Sequence, residues 1–267
     1  MAIRSLDLGQ TQVHILDDGI FITNAASILG GKSNARIKGG MHPTLVETPE
    51  GLTLLDAGFG AELPESLRGD YELKRERSLM DHLSDLGHAP QDVTHVVLSH
   101  LDADHVGWAL NGDRFPRAKV YVQEDALEEA RSLPDHPGRS ESVPAVERGV
   151  EEGWCALVSG EGEIAPGIRV ELRPGHAAGH QISWIGTGRA GETALFTGDL
   201  APSKIFLNPD TIAGVDTDPE AARRNRIEVL TEAVERGAPV ILYHEPNDSL
   251  VQLRRTEKGF EAIPYGS

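Results

Sequence analysis

The sequence predicts a mixed α/β fold in which two layers of β-sheet form the core and helices cover them on the outside. Short apolar or alternating runs, separated by Asp-Gly, Gly-Gly and Pro-Glu-Gly turn signals, recur along the chain as expected for strands. Longer amphipathic stretches follow strands in both halves, which is typical of helices that pack on a sheet. With 267 residues, 39% of them hydrophobic, we expect residues 1–267 to form a single domain with a sizeable core.

The N-terminal part is predicted to be rich in β-structure. Four short runs are expected to form consecutive antiparallel strands, at residues 13–16, 20–23, 44–48 and 52–56. A helix is predicted over residues 73–86, because Leu79, Leu83 and Leu86 recur at helical spacing and Gly87 follows them.

The remainder of the chain alternates between predicted strands and helices. A strand at 94–98, a strand at 119–123 and a short helix at 125–132 precede a polar, Pro/Gly/Ser-rich stretch at 133–144. We expect that stretch to form a mobile lid or substrate loop. The second half is predicted to contain strands at 168–172, 181–185, 193–197 and 239–243 and a helix at 219–236.

The charge and cysteine content exclude several classes of function. A formal net charge of −17, from 42 acidic and 25 basic residues, disfavours nucleic acid and anionic membranes as partners. Cys155 is the only cysteine, so an internal disulfide is ruled out and a thiolate zinc site is not indicated. The first ten residues lack an apolar run, and nowhere does the chain approach the roughly 18 apolar residues of a membrane span. We therefore expect a cytoplasmic protein that acts on a small molecule.

The most informative feature is the segment His-Leu-Asp-Ala-Asp-His at residues 100–105, directly after the apolar run 96–98. Four side chains that can bind a metal lie within six residues, and such a density of polar groups needs a compensating partner. Because alternate side chains of an extended segment point the same way, His100 and Asp102 are predicted to face one point, and Asp104 and His105 a neighbouring one. The alternative is a solvated helix start in which the aspartates serve as N-caps.

Further polar side chains follow other predicted strands, where rigid scaffolds often place functional groups. They are Asp56, His176, His180, Asp199 and His244. Each is ordinary alone; in series with residues 100–105 they predict a site for two metal ions.

Taken in order, these motifs over residues 56–244 resemble those of the metallo-β-lactamase-fold hydrolase superfamily. The resemblance implies a four-layer αβ/βα sandwich and two bound divalent metal ions. It implies that Asp56 orients the ligands and that His176, the first histidine of Pro-Gly-His-Ala-Ala-Gly-His, is not itself a ligand. Carried over by motif, the ligands are His100, Asp102 and His180 for one ion, Asp104, His105 and His244 for the other, and Asp199 as the bridge between them.

Asp102 departs from the usual motif of the family, His-x-His-x-Asp-His. A carboxylate is a harder, anionic ligand than an imidazole, so we expect the metal preference to tilt from zinc toward iron or manganese. The flavodiiron oxidoreductases also carry an acidic residue there. A diiron oxidoreductase or oxygen-binding protein is therefore the alternative function.

Within the superfamily, residues 99–101, 115–122 and 174–181 are most similar to the N-acyl-homoserine lactonase and methyl parathion hydrolase branch. This similarity implies that a metal-activated water attacks a lactone or ester carbonyl, with Asp104 or Asp199 passing the proton to the leaving group. A thioesterase of the glyoxalase II type is less favoured, because no cluster of basic residues is evident in the later part of the chain.

Three positions and the assembly are left open. His42 and His136 lie in predicted loops that could overhang the site, and Trp108 is expected in the core with a pocket wall as the alternative. Tyr243 precedes a predicted ligand on the same strand and is expected to point away from the metals. A homodimer is one option for the assembly, as in related lactonases.

Overall fold

Two seven-stranded β-sheets face each other in the computed structural model, which describes residues 3–110 and 114–266. The strands of the first sheet, in spatial order, are β1 (Arg4–Asp7), β2 (Gln12–Ile15), β5 (Thr44–Thr48), β6 (Gly51–Leu55), β8 (Val93–Val97), β9 (Lys119–Gln123) and β10 (Cys155–Val158). Strands β6, β8, β9 and β10 run parallel to one another, and the strands before them pair antiparallel.

The second sheet follows in chain order. Its strands are β11 (Glu161–Ala165), β12 (Ile168–Leu172), β13 (Gln181–Gly186), β14 (Thr193–Phe196), β15 (Val240–Ile241), β16 (Leu250–Thr256) and β17 (Gly259–Pro264). Only β14 and β15 pair in parallel here. The two sheets therefore each contain parallel neighbours whose carboxyl ends meet at one edge, and it is there that the site forms.

A small third sheet and six α-helices complete the described structure. The third sheet has the order β4 (Arg36–Gly40), β3 (Ile20–Asn24) and β7 (Glu72–Lys74). The helices are α1 (Ala25–Leu29), α2 (Leu79–Asp85), α3 (Ala103–Val106), α4 (Glu124–Ser132), α5 (Val143–Glu152) and α6 (Pro219–Arg236). None of the helices within residues 3–110 and 114–266 is both long and apolar enough to cross a membrane.

Apolar side chains fill the space between the two large sheets. Val46 and Val97 of the first sheet belong to the same buried cluster as Ile185 and Phe196 of the second. Burial of such side chains, at about 25 cal/mol per Å², is the main force that holds two sheets face to face.

The outer face of each sheet is covered by helices. Leu79 and Leu83 of α2 pack with residues of the first sheet, and Val229 and Leu230 of α6 pack with those of the second. The layers are thus helix, sheet, sheet and helix, as predicted.

Two predictions about local structure are wrong. Helix α2 begins at Leu79 instead of residue 73, because Ser78 and Asp81 form a capping box and residues 72–74 pair with β3. Strand β3 itself leaves the predicted antiparallel series and pairs with β4 and β7. Within residues 133–144 a 3₁₀ turn at Ser140–Ser142 leads into α5, and the role of this stretch as a mobile lid or substrate loop stays a prediction.

Candidate metal centre

Asp56 lies behind the centre, as expected, and orients it through hydrogen bonds. One carboxylate oxygen accepts the Ser99 backbone N–H at 2.7 Å, and the other accepts the Ser99 hydroxyl and His105 Nδ1–H, each at 2.7 Å. Asp56 has a positive φ of 56°, a backbone conformation of order 1–3 kcal/mol above the usual minima for a non-glycine residue. These bonds fix the strained turn, and they point His105 Nε2 toward the site.

Asp104, His105 and His244 form one group of potential ligands. The Nε2 atoms of His105 and His244 lie 3.2 Å apart, and Asp104 Oδ2 lies 3.4 Å from His244 Nε2. His244 Nδ1 donates to the carbonyl oxygen of Gly40 at 2.7 Å, which leaves its Nε2 lone pair for the site. The structure thus brings together the three residues predicted for one ion.

His100, Asp102 and His176 form the other group. Asp102 Oδ2 lies 3.3 Å from His100 Nε2 and 3.3 Å from His176 Nε2. His176 Nδ1 donates to the buried carboxylate of Asp216 at 3.2 Å, a contact that fixes the ring with Nε2 facing inward.

Asp199 lies between the two groups. Its Oδ1 is 3.4 Å from His105 Nε2 and 3.3 Å from His244 Nε2, while its Oδ2 is 3.5 Å from His176 Nε2. One carboxylate oxygen therefore faces each group, which is the arrangement that a bridging ligand needs.

His180 does not join either group. Its Nε2 accepts the backbone N–H of Asp199 at 3.0 Å, so the lone pair that would bind a metal is used in a hydrogen bond. His176 instead points into the centre. The geometry thus places His176, and not His180, beside His100 and Asp102, whereas the sequence-based assignment has His180 as the ligand.

The donor atoms fit metal ions. His100 Nε2 and Asp199 Oδ1 are buried, yet within residues 3–110 and 114–266 neither has a properly aligned hydrogen-bond partner. Within each set of candidate ligands the donor atoms all lie within 4.8 Å of one another. Imidazole nitrogens and carboxylate oxygens are the donors that zinc, manganese and iron accept, and a cation among them satisfies these atoms at once.

The charges of the centre act strongly on its histidines. Burial by itself lowers the pKa of His176, but hydrogen bonding to Asp102 and the charge of Asp199 raise the pKa to about 10. Burial likewise opposes the charged form of His105, and Asp199 and Asp56 nevertheless raise its pKa well above the usual value. Carboxylates packed this closely favour any cation, and a metal ion would displace the protons that these histidines otherwise hold.

Asp102 is held by an arginine that the sequence reasoning missed. It precedes α3 at the N-cap position, but its side chain makes no capping bond, so the N-cap alternative is wrong for this residue. Arg139 Nε and Nη2 instead pair with its two oxygens at 2.5 and 2.9 Å. The only signal in the sequence was an extra carboxylate at 102 that had to be compensated, and nothing in the sequence showed which of the basic residues would do so.

A cavity of about 720 Å³ opens onto both groups of ligands. Among residues 3–110 and 114–266, His136 lines the cavity, whereas His42 and Trp108 are buried and do not line it. Apolar and aromatic side chains form most of its wall, among them Phe21, Ile28, Phe59, Leu67, Tyr71 and Phe206. Of these only Phe21 lies in a predicted strand, and the others come from segments without a clear periodic pattern.

Tyr243 supports the site from behind, whereas Trp108 lies away from it. Tyr243 stacks on His105 with ring centroids 4.3 Å apart, and its hydroxyl donates to the carbonyl oxygen of Asp104 at 2.7 Å. Trp108 lies in the core and donates from Nε1 to Asp18 at 3.2 Å, as expected of a core tryptophan.

Comparison with known proteins identifies the family. The sequence profile of the Metallo-beta-lactamase superfamily matches residues 42–255. The chain belongs to this superfamily. An N-acyl homoserine lactonase of Bacillus thuringiensis is 28% identical to this superfamily member over 220 residues, which cover 74% of the chain and 78% of the relative. A probable metallo-hydrolase of Mycobacterium tuberculosis is 29% identical over 169 residues, or 55% of the chain and 53% of the relative.

Solved structures share the fold over nearly the whole chain. AidC, a dizinc quorum-quenching lactonase in complex with a product, superposes with a TM-score of 0.80 at 23% identity, over 99% of this chain and 98% of AidC. A probable metal-dependent hydrolase from Staphylococcus aureus gives 0.83 at 21% identity, over 98% and 99%. The predicted fold and the predicted class of enzyme, a metal-dependent hydrolase, are thereby confirmed.

Proposed function

We propose that this superfamily member uses two divalent metal ions to hydrolyse the lactone ring of N-acyl homoserine lactones. The observation that carries the proposal is that residues of both groups of potential ligands line one large, mostly apolar cavity. The similarity to N-acyl homoserine lactonases supports the choice of a lactone over other esters.

The proposed ligands follow the geometry. His100, Asp102 and His176 would hold the first ion, Asp104, His105 and His244 would hold the second, and Asp199 would contribute one oxygen to each. Zinc is the metal of AidC, and the carboxylate at Asp102 makes manganese and iron further candidates here.

Two such ions supply a water of lowered pKa and a positive charge for the carbonyl oxygen. The chain's own residues do the rest. Asp104 lines the cavity beside His244 and can accept the proton of the attacking water and pass it to the ring oxygen that leaves. Asp56 holds the ring of His105, and Asp216 holds the ring of His176, so that each ring keeps its Nε2 atom turned toward the site.

Tyr71 is the proposed hydrogen-bond donor to the oxygen that gains charge. Its ring packs against Phe21 and Phe59, with centroids 5.6 and 6.3 Å apart, and its side chain lines the cavity beside the ligands. Burial, and then the charges of Asp104 and Asp102, raise the pKa of Tyr71, so the phenol keeps its proton. A neutral donor at this point favours the transition state over the ground state.

The apolar wall of the cavity suits an acyl chain. Each buried methylene contributes about 0.8 kcal/mol, which corresponds to roughly a fourfold gain in binding. Specificity for chain length therefore depends on how many methylenes the cavity can cover.

The direct test is a panel of N-acyl homoserine lactones with acyl chains of increasing length, alongside aryl esters, thioesters and phosphotriesters. We expect lactone turnover by the zinc- or manganese-loaded protein, with kcat/KM rising by roughly fourfold per methylene until the cavity is filled. Turnover of none of the lactones, together with a redox-active iron centre, would contradict the proposal.

Tyr71→Phe tests the donor, and Tyr265→Phe, at an exposed tyrosine, is the matched control. We expect kcat to fall by roughly 10²-fold in the first, with unchanged metal content, and to stay unchanged in the second. An unchanged kcat in Tyr71→Phe would exclude that role.

A further inference from the structure

Arg139 is a buried guanidinium directly behind Asp102. Its side chain is 1% exposed, and its Nε and Nη2 each bind one oxygen of Asp102, at 2.5 and 2.9 Å. Its remaining nitrogen, Nη1, pairs with Glu129 Oε2 at 3.0 Å. A bidentate fork fixes the plane of a carboxylate as well as its position, which a single ion pair does not.

The segment that carries Arg139 is fastened to the loop that carries Asp102. Ser142 Oγ donates to the carbonyl oxygen of Leu101 at 3.1 Å. A Cβ at Gly138 would lie 3.0 Å from the Cβ of Ala103, so the two backbones are in close contact. The guanidinium is therefore anchored from both sides, by this contact and by Glu129 on α4.

Only one oxygen of Asp102 faces the ligand group. Oδ2 lies 3.3 Å from the Nε2 atoms of both His100 and His176, whereas Oδ1 accepts a hydrogen bond from Arg139 Nε. Asp102 is thus poised to bind an ion through Oδ2 alone. The guanidinium offsets the charge of the carboxylate only in part, because Arg139 also pairs with Glu129 and the three groups together keep one negative charge.

We propose that Arg139 is a positioning residue, which holds Asp102 as a one-oxygen metal ligand at the position where the family motif has a histidine. This inference rests on the proposed assignment of Asp102 as a ligand. Glu129 holds the other end of the guanidinium, through Nη1 at 3.0 Å.

A double-mutant cycle tests the proposal, with the affinity for zinc alone and for manganese alone measured by competition with a chelator. Arg139→Gln should lower the affinity for the ion assigned to His100, Asp102 and His176 by roughly 10–100-fold, the usual effect of removing a partner behind a ligand. Arg139→Lys should restore part of the loss, because it keeps the charge but not the fork. In the Asp102→His background, Arg139→Gln should cause no loss, since no carboxylate is left to position.

Two kinds of result are distinguishable. If Arg139→Gln lowers metal affinity equally in the Asp102 and the Asp102→His backgrounds, or in neither, Arg139 does not act through Asp102 and the inference is overturned. If Asp102→Asn leaves the affinity for both metals unchanged, the proposed ligand assignment has failed instead.

The unfolding temperature of the metal-free variants shows whether the fold is intact. Should Arg139→Gln fail to fold, Arg139→Lys and Glu129→Gln take its place in the same cycle, and each must lose its effect in the Asp102→His background. Arg131→Gln is the matched control, because Arg131 pairs with Glu147 at 2.7 Å on the surface and its side chain is 51% exposed. Metal affinity should not change in that control.

Discussion

The two groups of metal ligands use the same kinds of side chain but are supported differently. In the group of His105 and His244, the Nδ1 atoms face away from the site. Nδ1 of His105 donates to Asp56 and Nδ1 of His244 donates to the backbone of Gly40, and both of these partners lie at strand ends. In the group of His100, Asp102 and His176, the supports come from loops: Arg139 and Asp216. The arrangement around His105 and His244 depends on the sheet scaffold. The arrangement around His100, Asp102 and His176 can accommodate a changed ligand, because a loop residue can supply a compensating charge.

The largest effect is expected from the residue that joins the two groups. Asp199→Ala removes an oxygen from both, so we expect loss of both ions and a fall in kcat/KM of at least about 10³-fold, equivalent to several kcal/mol of transition-state stabilisation. Metal analysis and lactone kinetics check this, with the exposed Asp210→Ala as control. Retention of two ions per chain would contradict the bridging assignment.

His176→Ala and His180→Ala separate the two histidines of one motif. We expect His176→Ala to lose the first ion, because the affinity for that ion should fall by more than the roughly 10–100-fold that is typical of removing a residue behind a ligand. His180→Ala should keep both ions and lower the free energy of unfolding by about 1–3 kcal/mol, since it leaves the N–H of Asp199 unpaired. The opposite pattern of metal loss would restore the assignment made from the sequence.

Asp102→His should make the two groups more alike. It replaces an oxygen donor by an imidazole. The ratio of zinc to manganese affinity should therefore rise on the order of tenfold for the first ion and stay constant for the second. Sequential metal titrations measure the ratio for each ion. An unchanged ratio would show that Asp102 does not bind a metal.

The dependence of metal binding on pH is a smaller effect. The pKa of His176 in the metal-free protein is about 10, so this ring is protonated at pH 7.5 and must lose the proton to bind a metal. Because the folded-state pKa lies above the unfolded value, protonation stabilises the metal-free protein fully below pH about 6.5, and this stabilisation is lost as the pH rises through about 10.

Metal titration by calorimetry in buffers of different ionisation enthalpy should show release of at least about one proton per chain at pH 7.5, falling above pH 10. His176→Ala should release fewer protons. Binding without proton release at pH 7.5 would contradict the proposed role of His176.

The part of the site that could be predicted from the sequence is the part whose geometry is local. Residues 100–105 follow directly on β8, so their strand-end position and mutual spacing were evident from the sequence alone. His176 and His180 lie in one tight turn, and their roles are decided by Asp216 and the backbone of Asp199, which are distant in sequence.

Other features depend on tertiary contacts that have no periodic signal. Arg139 lies in the polar stretch 133–144, which was predicted to form a lid or substrate loop, and it binds Asp102, 37 positions away. The helix predicted over 73–86 is shortened because residues 72–74 add to β3 in the small third sheet. In both cases a long-range contact overrides the local pattern.

Anomalous diffraction from crystals loaded with zinc tests the central claim most directly. The account predicts two peaks per chain, roughly 3.5–4 Å apart, one in contact with Asp102 Oδ2 and His176 Nε2, the other with His105 and His244, and both with Asp199. A single peak, or a first ion bound to His180 instead of His176, would contradict it.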